Sequence, residues 1–286
     1  MTSPGLTSAV PLLRGAFQWL FGSLLALSLI AFFLVINGVQ LTSSGTAQRI
    51  LSRATADLTE IDAMLPTIQA DLREAAEASE GDTVVVPHFP MAVELPREEA
   101  ATISTAELRS RLLSEAAKAI YKEGMSVWAL ADPEAEQHID VLSPEGGVHR
   151  GLGFLSDDNH RALCIAAIVL GLISLALAGL VFVSTQGMGR LVALGAALLG
   201  AAVPSLVTAV AVRFAFRTAS EDQDDYMLMR LLDLGNDAAW LTLRNYTILT
   251  LLGLWLVVAG VGLVLLEIRQ RAASAGPAVD NGPAEA

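Results

Sequence analysis

"ALCIAAIVLGLISLALAGLVFVS", residues 162–184, contains no Asp, Glu, Lys, Arg or His. A helix of that length can cross the ~30 Å hydrocarbon core of a bilayer, which takes about 20 apolar residues. A helix that is apolar all round is either deeply buried or spans a membrane. Three more stretches share the property: "WLFGSLLALSLIAFFLVINGV" at 19–39, "LVALGAALLGAAVPSLVTAVAV" at 191–212 and "TILTLLGLWLVVAGVGLVLL" at 247–266. The chain as a whole is 53% hydrophobic without counting its 23 glycines. Soluble domains reach about 45–50% with glycine included. Four transmembrane helices are therefore expected, with a lipid bilayer as the first partner.

The first stretch is longer than the 7–15 apolar residues of a signal-peptide core, and no A-x-A-like cleavage site follows it. It reads as an uncleaved signal anchor. The expected class is an all-α integral membrane protein with a mostly helical extramembrane domain inserted between the first and second spans. The layout is a cytoplasmic tail at 1–16, a span at 17–41, an extracytoplasmic helical domain at 42–160 and a span at 162–184. A short cytoplasmic turn at 185–190 and a span at 191–212 follow. The rest is an extracytoplasmic loop with short helices at 213–246, a span at 247–268 and a disordered cytoplasmic tail at 269–286. A multi-pass place in the plasma membrane, with both termini cytoplasmic, rests on two observations. Arg14 precedes the first span closely, and a long polar loop is translocated largely regardless of its charge. Lys/Arg counts do not decide the matter: Arg14, Arg190, Arg269 and Arg271 on one side balance Arg213, Arg217, Arg230 and Arg244 on the other.

The net charge of −12 lies outside the spans, because 42–160 holds 21 Asp/Glu against 9 Lys/Arg. Nucleic-acid binding needs a basic face, so that class is set aside. Inside this segment, "LSRATADLTEIDAMLPTIQADL" (51–72) places Leu51, Ala54, Leu58, Ile61, Leu65, Ile68 and Leu72 at alternating steps of three and four. That is a heptad seam. Its flanking positions are Thr55, Asp62 and Gln69 on one side and Asp57, Met64 and Asp71 on the other, with no base among them. Self-pairing would oppose aspartates, whereas helix 104–124 offers Arg109, Arg111, Lys118 and Lys122. Its apolar face is Leu108, Leu112, Leu113, Ala116, Ile120 and Tyr121. The two are expected to pack within one chain. Pro66 should kink the seam helix without redirecting it. Ser104 and Glu107 have capping-box spacing and Gly124 is a stop. Residues 81–96 read as extended, with Pro87, Pro90 and Pro96 limiting any strand to an edge. In the 213–246 loop, Ser220 and Gln223 could cap a short helix carrying Met227, Leu231 and Leu232.

In the third span Ala193, Ala197, Ala201 and Ser205, then Ala209, recur every four residues, a stripe that lets helices approach closely in lipid. The second span echoes it with Ala167, Gly171, Ser174 and Ala178, so the two stripes are expected to pack the hairpin together. Ala202, about 100° round from Ala201, should lie off this face. Pro204 could break the third span.

Chemistry-bearing residues are sparse. His138, His149 and His160 recur at intervals of eleven near Asp157 and Asp158. Zinc is commonly held by His and carboxylate, but no HxxxH or HxH pair is present. The acids also suit the first turn of a helix capped by Ser156. One cysteine, Cys164, allows neither an internal disulfide nor a CxxC metal site. No G-x-S-x-G motif occurs, and "GVHRGLGF" lacks the strand–turn–helix setting of a phosphate loop. No catalytic residue, metal site or cofactor is expected. The expected function is a non-catalytic scaffold, assembly factor or signal-receiving accessory protein with other membrane proteins as partners. The alternatives are a subunit of a transporter or channel complex and a metal-dependent enzyme on the outer face.

Overall fold

The computed structural model describes residues 9–59, 61–89, 91–124, 151–185, 187, 189–221 and 226–274. In chain order the elements are α1 (Ala9–Thr42), α2 (Ser44–Thr59), α3 (Ile61–Ala78), β1 (Thr83–Val85), β2 (Glu94–Pro96), α4 (Arg97–Thr102) and α5 (Thr105–Glu123). The long helices α6 (Asp157–Ser184), α7 (Gly189–Glu221) and α8 (Tyr226–Ser274) follow. Among the described residues four helices are long and apolar enough to cross a membrane, over Phe17–Thr42, Asp157–Ser184, Gly189–Ala219 and Gly235–Arg271. Large apolar side chains face outward on them: Ile165, Ile168, Leu172 and Leu175 of α6 are 63–70% exposed. The hydroxyls of Ser28 and Ser174, in contrast, bond each other at 2.8 Å between α1 and α6. Apolar surface outside and a polar pair inside suit a helix bundle in lipid.

The chain forms two compact units. Unit 1 comprises Met1–Leu34, Ile168–Val210 and Thr242–Ala286; unit 2 comprises Val35–Ala167 and Ala211–Leu241.

In unit 2 the seam is the core. Leu51, Ala54, Ile61, Leu65, Ile68 and Leu72 are all buried, while the side chain of Leu58 lies outside the described residues. Ala47, Leu51 and Ala54 pack with Ala116, Ile120 and Tyr121. Ile61 to Leu72 pack with Leu108, Leu112 and Leu113. The register rises on one side as it falls on the other, so α5 runs antiparallel to α2 and α3. Over 51–72 the described helices are α2, to Thr59, and α3, from Ile61, and Glu60 lies outside the described residues. Pro66 stands inside α3; it cannot donate to the carbonyl of Asp62, yet seam residues on both sides of it, Leu65 and Ile68, are buried.

α5 starts with a complete capping box. The Ser104 hydroxyl accepts from the Glu107 backbone and the Glu107 carboxylate accepts from the Ser104 backbone, and Gly124 closes the helix with a φ of 76°. Strands β1 and β2 pair antiparallel with Val84 opposite Leu95. Both are buried while Val85 is exposed, the alternation of a half-buried strand. Lys118 pairs within α5 with Glu115, but one acid flanking the seam meets a base of α5: Arg109 forks onto Asp62, Nε to Oδ1 at 2.6 Å and Nη2 to Oδ2 at 3.1 Å. Those hydrogen bonds hold the Asp62 carboxyl below its usual pKa against a smaller desolvation penalty. A carboxylate with a lowered folded-state pKa adds stability above the usual carboxylate range and loses it as the pH falls through the lowered value. The pair is exposed, so it is worth only about 0–1 kcal/mol. Asp62→Asn should therefore differ from wild type slightly at pH 7, less in high salt, and not at all in strong acid, as read by thermal unfolding.

Several boundaries differ from expectation. The 213–246 segment is not a loop with separate short helices. α7 continues through Phe214 to Glu221, and α8 runs unbroken over 49 residues from Tyr226. Residues 222–225, including Gln223 of the expected cap, lie outside the described residues, as do the side chains of Ser220, Met227 and Leu231. No proline stands in 226–246 to stop a helix, and its glycine, Gly235, faces the Phe216 ring, which would lie 3.1 Å from an added Cβ. Arg213 stacks over the Trp240 ring at 4.5 Å, and Arg53 of α2 pairs with Asp237 of α8 at 3.3 Å. α1 already begins at Ala9, inside the expected 1–16 tail, and α8 reaches Ser274, inside the expected 269–286 tail. Residues 275–286 lie outside the described set.

In unit 1, α7 stays helical through Pro204, and Thr208 turns its hydroxyl back to the Pro204 carbonyl at 3.0 Å. The small-residue stripes are partitioned differently from expectation. Gly171 and Ser174 of α6 face α1, at Phe32 and Ser28. Ala193 and Ala197 of α7 pack with Leu25 of α1 and Val181 of α6. Ala201 is fully buried, but so is Ala202; α7 is enclosed on more than one side, and Ser205 is only half-buried, its hydroxyl on the Ala201 carbonyl. A close helix approach involves residues outside the stripe. A Cβ on Gly195 would meet the Gly253 carbonyl oxygen and the Val257 nitrogen, each at 2.9 Å, and one on Gly260 would meet the Val192 nitrogen at 3.0 Å. α7 and α8 thus touch backbone to backbone, which glycine alone permits.

Candidate functional site

A cluster of polar side chains in unit 2 converges where α1 ends and α6 begins. Thr42, the last residue of α1, is fully buried. Its hydroxyl donates to the Gly38 carbonyl at 2.8 Å, the usual way for a helical threonine to satisfy itself. The same oxygen lies 3.1 Å from Nδ1 of His160. The other ring nitrogen, Nε2, faces Sγ of Cys164 at 3.7 Å. Polar contacts thus run unbroken from Cys164 through the His160 ring and the Thr42 hydroxyl to the Gly38 carbonyl. Tyr121 of α5 closes the junction, its hydroxyl donating to the Thr42 carbonyl at 3.1 Å. Burial pushes the Tyr121 pKa up, and the Asp157 charge adds to that while Arg161 opposes it. The phenol therefore remains a donor.

The start of α6 is built for this position. Ser156 accepts from the Asn159 backbone at 3.4 Å, and Asp157 and Asp158 occupy the first turn, where carboxylates suit the helix dipole. Asp157 pairs with Arg161 at 2.6 Å, one helical turn away.

Of the sequence-level metal candidates, His138 and His149 lie outside the described residues. Asp158 is exposed, Asp157 is engaged by Arg161, and His160 is engaged by Thr42 and Cys164. Among the described residues no three His, Cys, Asp or Glu side chains are grouped to hold a metal ion. The His160–Cys164 pair has the atoms of an activated nucleophile, but its outer nitrogen is oriented by a threonine hydroxyl rather than by a carboxylate. The arrangement joins three helices through buried polar bonds. The sequence carries no signal that Thr42 belongs here, and Tyr121 reads there as part of an apolar face. The findable signal was the i, i+4 spacing of His160 and Cys164. No protein-family model matches the sequence, and no curated protein or solved structure matches it significantly.

Tyr121→Phe keeps the ring and deletes the bond to Thr42. Its loss should cost about 0.5–1.5 kcal/mol, seen as a lower Tm in detergent. An unchanged Tm would show that the bond carries no net stability.

Proposed function

We propose that this chain is a non-catalytic multi-pass protein of the plasma membrane. Both termini lie in the cytoplasm, and residues 42–160, joined by 213–246, stand outside the membrane as a scaffold, assembly factor or signal-receiving accessory domain. One observation carries the reading: the seam and α5 spend their apolar faces on each other. Unit 2 is thus a self-contained body whose outer surface is free for recognition rather than occupied with holding the fold. That surface is acidic where Glu77, Glu80, Asp82 and Glu98 line a cleft of about 630 Å³ beside the hairpin. A partner with a basic face suits it.

The test is isolation of the intact chain from native membranes in mild detergent. A protein that comigrates with wild type, and is lost on reversing Glu77, Glu80 and Glu98 to lysine, is the expected result. Ion or solute flux through liposomes containing the pure chain alone would overturn the reading in favour of transport. Orientation is tested by Glu80→Cys and Ser274→Cys, each in a Cys164→Ala background. On intact cells a membrane-impermeant thiol reagent should label the first and spare the second; the reverse pattern would invert the topology.

A further inference from the structure

Unit 1 contains a cleft of about 350 Å³ between α1, α6 and α7. Its walls are mostly small: Gly22 and Ala26 from α1, Val181 from α6, Ala193 and Ala197 from α7. One end is polar. There Gln18 donates to the Ser184 carbonyl at 2.8 Å, and the Thr185 hydroxyl to the Val181 carbonyl at 2.7 Å. Arg190 donates its Nε to the Thr185 carbonyl at 3.0 Å and lies over the Phe182 ring at 4.4 Å. Arg190 does not itself line the groove; its bond to Thr185, which does, sets a positive charge beside the polar end. Trp19 lines the same end and is 81% exposed, as suits the headgroup level of a bilayer.

The geometry points to a binding site for one anionic phospholipid, its headgroup at Arg190 and an acyl chain along Gly22 and Ala197. Two observations favour that occupant. Basic pockets between membrane helices suit anionic headgroups, and the charge here stands at the end where such a headgroup would lie. Second, a Cβ on Gly22 would touch nothing. No packing inside the protein requires a glycine there, and its effect is to keep the groove wide.

Native mass spectrometry of the full chain, titrated in detergent with phosphatidylglycerol or phosphatidylcholine, tests the site. Wild type should retain one phosphatidylglycerol, about fivefold more tightly than phosphatidylcholine, the effect expected of one basic residue near an anionic lipid. Arg190→Gln should erase that preference. Gly22→Leu, which fills the groove from an open position, should abolish the bound lipid without lowering the Tm. Equal retention by wild type and Gly22→Leu overturns the proposal, as does an equal affinity of wild type for the two lipids. A lipid-free dimer in place of the lipid adduct overturns it too, by making a second copy the occupant. Should Gly22→Leu fail to fold, Arg190→Gln decides: a lost preference supports the site and an unchanged one overturns it.

Discussion

Leu72→Ala should destabilise unit 2 by about 2–5 kcal/mol, the range for deleting a buried leucine side chain whose surroundings relax only partly. Leu72 has no exposed surface and sits among Leu65, Ile68, Leu95 and Leu108. Each of these belongs to a different turn or element, so the gap cannot be filled by one rotamer change. Met64, on the flank of the same helix, is 37% exposed. Met64→Ala should therefore cost far less. The comparison, by thermal unfolding in detergent, keeps chain, helix and final residue constant and sets a buried side chain against a partly exposed one of similar size. Similar Tm losses for both would mean that the seam is not the core. The contrast with charge is also informative. Arg109 and Asp62 choose which face of α5 meets which face of α3, but an exposed pair offers about 0–1 kcal/mol. Apolar burial holds the helices together and charge aligns them.

What could be read from the sequence follows from how local each signal is. The spans were legible because twenty consecutive uncharged residues need no knowledge of neighbours. The seam was legible because a three-four spacing puts Leu51, Ile61, Leu65, Ile68 and Leu72 on one face whatever that face meets. The lengths of α7 and α8 were misjudged because hydropathy ends where the lipid ends, whereas a helix continues until a residue stops it. The junction at Thr42 was invisible for a different reason. Its members come from positions 42, 121, 160 and 164, and only the fold brings them together. The stripe beginning at Ala193 shows the converse error: a regular period marks a face, but the backbone contact is made by Gly195, Gly253 and Gly260, whose spacing alone does not say that two helices meet there.

Those glycines carry the second large effect. Gly195→Ala adds one methyl group in a place where it would stand 2.8 Å from Cγ2 of Val257 and 2.9 Å from the Gly253 carbonyl oxygen. A flexible side-chain tip could move aside, but a carbonyl oxygen cannot move without moving α8. Overpacking of this kind costs about 1–3 kcal/mol. Against it stands the better helix propensity of alanine, at most about 1 kcal/mol. The clash should win, and the Tm of the variant in detergent should fall. Gly262 on α8 provides the control, because a Cβ there meets nothing within 4 Å. Gly262→Ala gains the propensity and meets no obstacle, so its Tm should hold or rise. The same substitution thus has opposite expected signs at two positions of one helix pair. If both variants melt alike, α7 and α8 do not touch at Gly195, and the backbone contact assigned to unit 1 is wrong.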